Sequence, residues 1–239
     1  MSNIQSISVV VPAYNEEKNL RKSINIIYKY LTKLVGSYFE ILIIENGSTD
    51  RTADIAKELE IEYTNIKIFS LPSPSLGEAY RYGILQAKYD MVTAYPVDLA
   101  FSLNFIGHAY NLINKYPIIL GIRFHEKSLV DRPLIRILIS KVHTTLVNFF
   151  FNTRYKDVDC LKAFRTEIGK KLVKFTTSKG PFIEVELAYL LKRTRIKFYE
   201  IPVNHIEKEI ARHPLYIFRS IFKNFIELLK YKLKSLNKR

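Results

Sequence analysis

A repeated alternation in the N-terminal half limits the folds open to this chain. Short runs rich in β-branched and other apolar residues, at 7–11, 39–44, 66–70 and 91–95, are separated by stretches of helical periodicity at 20–34, 49–59 and 78–87. The apolar runs are short enough to read as buried strands, and the stretches between them carry apolar residues three and four positions apart. Strands that alternate with helices in this way form crossover connections and a mostly parallel sheet, an α/β architecture. Such sheets bind ligands beyond the carboxyl ends of their strands, so chemistry is expected in the loops 12–17, 45–50, 71–77 and 96–100.

The second half is less regular. Residues 118–122 read as a strand, 133–151 as a long helix, 161–164 as a short strand, 184–192 as a helix and 197–203 as a strand, with a helical pattern again from 214 onward. No repeat, low-complexity segment or linker divides residues 1–205, which are expected to form one domain followed by 206–239 as a basic amphipathic tail. With 48% hydrophobic residues the chain can bury a full core.

The lone cysteine, Cys160, excludes an internal disulfide, and no Cys/His spacing suits a zinc-finger type site. Residues 1–5 are polar and run directly into the first strand, without the pattern of a signal peptide. The longest stretch free of Asp, Glu, Lys and Arg, 99–114, is too short and too polar to cross a bilayer, so no transmembrane segment is expected. A net charge of +14 favours a polyanionic partner: nucleic acid, an anionic bilayer or phosphorylated substrates.

The first loop joins Pro12, Tyr14, Asn15 and Glu16 at the end of a strand. A nucleotide needs such a flat apolar surface with nearby acceptors. A helix-capping loop, with Asn15 as N-cap and Glu16 and Glu17 serving the helix dipole, explains the same residues. In the second loop, Glu45 and Asn46 stand where a parallel sheet presents ligands and Gly47 permits a tight turn, while Ser48 or Thr49 is the expected N-cap of the next helix with Asp50 in its first turn.

Taken together, P-A-Y-N-E at 12–16 and E-N-G-S-T-D at 45–50 resemble the opening of the family-2 glycosyltransferases, whose usual forms are P-x-Y-N-E and D-[DN]-G-S-x-D. The resemblance implies the GT-A nucleotide-diphospho-sugar transferase fold, a mostly parallel mixed sheet flanked by helices. It also implies that Pro12, Tyr14, Glu16, Glu45 and Asn46 meet the nucleotide of a UDP- or GDP-linked sugar. Ser75-Leu76-Gly77-Glu78-Ala79 resembles the family's G-K-G-x-A element at Gly77 and Ala79, with Leu76 replacing the lysine and removing one cationic contact. Where the family carries Asp-x-Asp for Mg²⁺ or Mn²⁺, this chain has Pro96-Val97-Asp98. Asp98 is therefore the implied metal residue; one carboxylate with substrate phosphates suffices for such a hard cation. The alternative for Asp98 is a cap on the following helix.

Gly121-Ile122-Arg123, with Arg136 beyond it, resembles the branch that transfers sugar to dolichyl or other polyprenyl phosphates, in which arginines grip phosphates. Lys141 and His143 lie further along the same helix as weaker candidates. The stretch 157–164 resembles the family's D-x-x-C-G-x-K-x-F segment without its glycine, so Asp157 would place the acceptor side or fix an arginine; an ordinary structural pair of Asp157 with Lys162 is the alternative. Glu184 and Glu186 match a family F-x-x-[DE]-x-E-L segment and are expected to orient basic groups, and 200–203 matches its E-[IV]-P-V strand.

The tail places Leu215, Phe218, Phe222, Phe225 and Leu229 at helical spacing opposite Arg219, Lys223, Lys230 and Lys234, the pattern of a helix on an anionic membrane. The run 230–239 reads as too basic to pack. The expected activity is thus inverting transfer of a hexose from a nucleotide-sugar to a polyprenyl phosphate, at the cytoplasmic face of the membrane and peripherally bound. A family-2 transferase acting on a glycan or protein hydroxyl, or a silent nucleotide-sugar binder, are the rivals. Nucleic acid is not expected as a partner, because it would explain the charge and none of the loops.

Overall fold

The computed structural model describes residues 6–207, 226–227 and 229–231. The first half alternates as expected: β1 (Ile7–Ala13), α1 (Leu20–Val35), β2 (Phe39–Asn46), α2 (Thr52–Glu62), β3 (Ile66–Leu71), α3 (Leu76–Gln86) and β4 (Met91–Ala94). Then follow α4 (Asn104–Leu112), β5 (Ile118–Ile122), β6 (Val130–Asp131), α5 (Leu134–Phe151), β7 (Lys162–Arg165), α6 (Thr166–Val173), α7 (Ile183–Thr194), β8 (Tyr199–Pro202) and β9 (His205–Ile206). The main sheet has the order β3-β2-β1-β4-β7-β5-β8, and β6 pairs with β9 in a small second sheet. Every pairing in the main sheet is parallel except those of β7, which runs antiparallel to both β4 and β5. The carboxyl ends of the parallel strands and the amino end of β7 therefore share one edge.

Alternation along the strands builds a core on each face. Val9, Val11, Ile41 and Ile43 pack with Leu20, Ile24, Ile27 and Leu31 of α1, whereas Val10, Leu42, Ile44 and Val92 pack with Ala79 and Ile84 of α3 and with Leu172 of α6. Leu20, Ile24, Ile27 and Leu31 recur at helical spacing, which makes α1 form against this sheet, and Gly36 ends it at φ 63°.

Several boundaries differ from expectation. α2 begins at Thr52, because the Asp50 carboxylate accepts from the backbone N–H (2.9 Å) and hydroxyl (2.5 Å) of Thr52 and holds 48–51 in a turn. Neither Ser48 nor Thr49 is its N-cap, and Asp50 precedes the helix. α4 and α6 were not anticipated; α4 lies in the charge-free stretch and buries Phe105, Ile106 and Ala109. β9 crosses the boundary expected at 205.

The helix expected from 214 falls largely outside the described residues, as do Leu215, Phe218, Phe222, Phe225, Arg219, Lys223 and Lys234. Residues 226–227 and 229–231 are helical. Tyr231 corrects the expectation that nothing in 230–239 packs: its ring lies 5.7 Å from that of Phe182 and 5.6 Å from that of Tyr189. A phenol can bury its apolar body while the neighbouring Lys230 stays exposed.

Gly83 of α3 lies directly on β1, where an added Cβ would stand 2.2 Å from Val10 Cγ1. Helix propensity favours Gly83→Ala by about 1 kcal/mol. Overpacking against the fully buried, β-branched Val10 costs about 1–3 kcal/mol and wins. Urea unfolding is expected to show Gly83→Ala as the less stable protein.

Candidate active site

The loops after β1 and β2 are clasped by reciprocal hydrogen bonds. The Asn15 backbone N–H donates to Ser48 Oγ (3.1 Å), and its side-chain Oδ1 accepts from the Thr49 N–H (2.9 Å). The Glu16 N–H donates to Thr52 Oγ1 (2.7 Å), the Glu17 N–H to Asp50 Oδ2 (3.2 Å), and Glu17 Oε2 accepts from the Arg51 N–H (3.2 Å). Asn15 adopts φ 54°, a conformation asparagine tolerates better than most residues. Its capping role is overturned: α1 starts after Asn19, and Asn15 serves the neighbouring loop instead.

Glu45 and Asn46 are both buried at the end of β2. Glu45 Oε1 accepts from the Ser48 N–H at 2.6 Å, and Asn46 Oδ1 accepts from the Ser75 N–H at 2.9 Å, tying the second loop to the third. Gly47, at φ 69°, passes so close to Ser73 that a Cβ would lie 2.9 Å from its Cα. Tyr14 remains 44% exposed and Pro12 half-buried, which leaves an aromatic surface at the mouth of these loops. Glu16 is half-buried, with Oε2 accepting from Asn19 Nδ2 (3.1 Å).

A fourth segment, which sequence patterns did not associate with this site, closes against Gly77. The Lys179 carbonyl accepts from the Gly77 N–H (2.9 Å) and from Ser75 Oγ (2.9 Å). A Cβ on Gly77 would stand 2.1 Å from the Ser178 carbonyl, so only glycine permits this approach. Glu186 holds the segment from below, accepting from the Thr177 N–H and Ser178 N–H at 2.9 and 3.0 Å. It thus orients backbone and not the basic groups expected of it. Lys179 Nζ lies 3.3 Å from Glu78 Oε1, placing a cation beside the element where Leu76 supplies none.

Asp98 follows β4 at the centre of the edge, half-buried, with Oδ1 accepting from the Ala100 N–H at 2.9 Å. It does not cap α4, which begins at Asn104. Among the described residues no group of three or more His, Cys, Asp or Glu could hold a metal. Asp98 alone could serve a hard cation only if substrate oxygens and water completed its shell.

Beyond Asp98 the edge becomes ionic. Arg123, at the end of β5, is buried and bound by Asp157: Nε to Oδ2 at 2.8 Å, Nη2 to Oδ1 at 2.7 Å, and backbone N–H to Oδ2 at 3.0 Å. Burial alone would lower the guanidinium pKa, but the Asp157 hydrogen bonds and charge raise it, so Arg123 stays cationic. Asp157 is an arginine-fixing residue, and its alternative pairing with Lys162 is overturned. Lys162 instead pairs with Glu184 and donates to the Val158 and Cys160 carbonyls at 2.7 and 3.1 Å.

Arg136 pairs with Glu207, which also accepts from Arg132 Nε at 3.1 Å. Arg132 was missed by sequence reasoning, although it stands on the same arginine-rich stretch. Lys141 points over the Phe124 ring at 5.5 Å. Arg123, Arg132, Ser140, His143, Asp159, Pro181, Phe182 and Glu184 line a cavity of about 300 Å³. Burial first, and then the charge of Arg123, lower the pKa of Arg132, so the two guanidiniums favour an anion between them.

The helix that walls this cavity, α5, also presents apolar residues outward: Leu134 is 84% and Phe149 79% exposed, with Ile135, Leu138 and Val142 between them. Among the described residues it is the one helix long and apolar enough, by length and composition alone, to cross a membrane. Thr144, Val147 and Phe151 on its other face are buried.

Two outcomes test this ionic end. Asp157→Ala leaves Arg123 buried without its partner, and a loss of about 3–5 kcal/mol is expected in urea unfolding. His205 is also buried, its pKa lowered to about 3 from 6.5 by burial first and then by Arg132 and Arg123. The unfolded chain therefore binds this proton first, so the His205 contribution is complete above about pH 6.5 and is lost as the pH falls toward 3. His205→Phe is expected to flatten the acid side of the stability profile.

Comparison with known proteins adds a likeness along the whole chain. The model of the family described as Glycosyl transferase family 2 matches residues 8–172. Dolichyl-phosphate beta-glucosyltransferase ALG5D of Trichomonas vaginalis is 29% identical over 238 residues, covering 94% of this chain and 72% of the relative. Dolichyl-phosphate beta-glucosyltransferase of Saccharomyces cerevisiae is 27% identical over 235 residues, covering 88% and 70%. Among solved structures, glucosyl-3-phosphoglycerate synthase from Mycobacterium tuberculosis, in complex with Mn²⁺, UDP and glucosyl-3-phosphoglycerate, superposes with a TM-score of 0.66 over 95% of this chain and 80% of its own; at 19% identity the likeness is one of fold.

Proposed function

This chain belongs to glycosyl transferase family 2, and from that premise we propose that it transfers a hexose from a UDP- or GDP-linked donor to a polyprenyl phosphate of the dolichyl type, with inversion at the anomeric carbon. The observation that carries the acceptor is the cavity at the ionic end of the edge, where Arg123 and Arg132 stand beside loops suited to a nucleotide. The names of the relatives from Trichomonas vaginalis and Saccharomyces cerevisiae agree with it.

The site divides its work along the sheet. Pro12 and Tyr14 offer the surface for the base, while Glu16, Glu45 and Asn46 line the ribose side; Gly77, expected to bring backbone close to the donor, instead admits the Ser178–Lys179 segment that closes the third loop. Asp98 would hold Mg²⁺ or Mn²⁺, which when bound neutralises the departing nucleoside diphosphate. Arg123, kept in orientation by Asp157, and the neighbouring Arg132 and Arg136 place the acceptor phosphate.

A phosphomonoester is anionic near neutral pH. Its oxygen therefore attacks the anomeric carbon without surrendering a proton to a base, while the bond to the diphosphate oxygen breaks and the leaving group keeps the electron pair. The acceptor is a membrane lipid, and the exposed apolar residues of α5, on the helix that walls the cavity, support a peripheral position on the cytoplasmic membrane face, aided by the basic tail.

The test is transfer of radiolabel from a panel of UDP- and GDP-sugars into the lipid fraction, with polyprenyl phosphate and Mg²⁺ or Mn²⁺. Label in a glycosyl phospholipid is expected from one donor, lost on chelation and reduced about 10²-fold by Asp98→Asn. No labelled lipid with any donor would refute the reading, and label in a glycan or protein instead would assign the hydroxyl-acceptor rival.

A further inference from the structure

The cavity at the ionic end holds one group that the donor chemistry leaves unused. His143 of α5 is fixed through Nδ1, 2.7 Å from Asp159 Oδ2. Its Nε2 is buried and has no hydrogen-bond partner among the described residues. His205 Nδ1 and Thr166 Oγ1 are likewise buried and unpaired, but neither residue lines this cavity, so His143 Nε2 is the one of the three that a ligand there could pair; leaving it unpaired costs about 1–3 kcal/mol.

The groups around the imidazole say which ligand would repay that cost. Arg123 and Arg132 face the cavity from the end of β5 and the start of α5, Asp159 from the segment before β7, and Glu184 from α7. Each carboxylate here is already engaged: Asp157 with Arg123, Asp159 with His143, Glu184 with Lys162, and Glu207 with Arg132 and Arg136. What the cavity has to spare is donor capacity. Burial alone would lower the His143 pKa, but the hydrogen bond and charge of Asp159 outweigh it and raise the pKa above its ordinary value, with Arg123 opposing and Asp157 assisting.

The geometry points to His143, held by Asp159, as a binding residue for the acceptor's phosphate, donating from Nε2 as an imidazolium and so selecting a phosphomonoester over a hydroxyl. This rests on the lipid-phosphate acceptor proposed above. No proton moves in the step; the imidazolium keeps both of its protons while the phosphate oxygen forms its bond to the sugar. The sign follows: acceptor affinity is complete below the His143 pKa and is lost as the pH rises through it.

The experiment uses the full chain with the donor found active above and a short-chain polyprenyl phosphate in detergent. His143→Gln is expected to raise KM for the lipid phosphate about tenfold or more, to leave KM for the nucleotide-sugar unchanged, and to abolish the alkaline limb of kcat/KM for the acceptor. Asp159→Asn is expected to shift that limb to lower pH. Unchanged acceptor KM and an unchanged alkaline limb in His143→Gln would overturn the proposal.

A second measurement needs no turnover. Titrating the wild-type protein with isopentenyl monophosphate is expected to shift the His143 ring resonance in NMR and raise its titration midpoint, and no shift would count against the inference. A wild-type chain that binds this probe through His143 but makes no glycosyl lipid would refute the proposed acceptor while leaving the phosphate site standing.

Discussion

The buried pair between Arg123 and Asp157 is the contact on which the ionic half of the site depends. Desolvating both charges is costly, and the pair persists because its geometry is good: two guanidinium N–H groups and the Arg123 backbone N–H all reach one carboxylate. The same short segment then continues outward. Asp159 fixes His143 on α5, and Lys162 reaches Glu184 on α7. One stretch at the start of an antiparallel strand thereby fastens β5, α5 and α7 around a single cavity, and it can do so because reversing β7 brings its amino end to the edge where the parallel strands finish.

The loops after β1, β2 and β3 are held differently. They are joined by hydrogen bonds between backbone amides and the side chains of Asn15, Glu17, Glu45, Asn46 and Asp50, with no arginine or lysine side chain among the bonds of this clasp. The ionic half suits an anion. Asp98 stands where the two meet, at the end of β4, next in the sheet to β7.

Departures from the family pattern become easier to understand in this setting. Leu76 removes a lysine from the third loop, and Lys179, its carbonyl fixed by Gly77 and Ser75, stands beside that loop paired with Glu78. Glu186, expected to orient basic groups, sets the backbone at Thr177 and Ser178 instead.

Periodicity alone determined the strands and helices of the first half, because buried strands and amphipathic helices leave opposite spacings of apolar residues. Ile118–Ile122 was legible to the residue for the same reason. Two ordered motifs also marked two loops that the structure clasps together at the carboxyl edge of the sheet. The sequence could not determine which acid holds which base: Asp157 with Arg123, Asp159 with His143, Glu184 with Lys162. Nor did it reveal α4, whose exposed face carries only the uncharged Asn104, His108 and Asn111, or the two-residue pairing of β6 with β9. Those outcomes rest on contacts between segments distant in the chain, where charge and hydrogen-bond capacity offer many equivalent partners, and only the packing of β7 between β4 and β5 chooses among them.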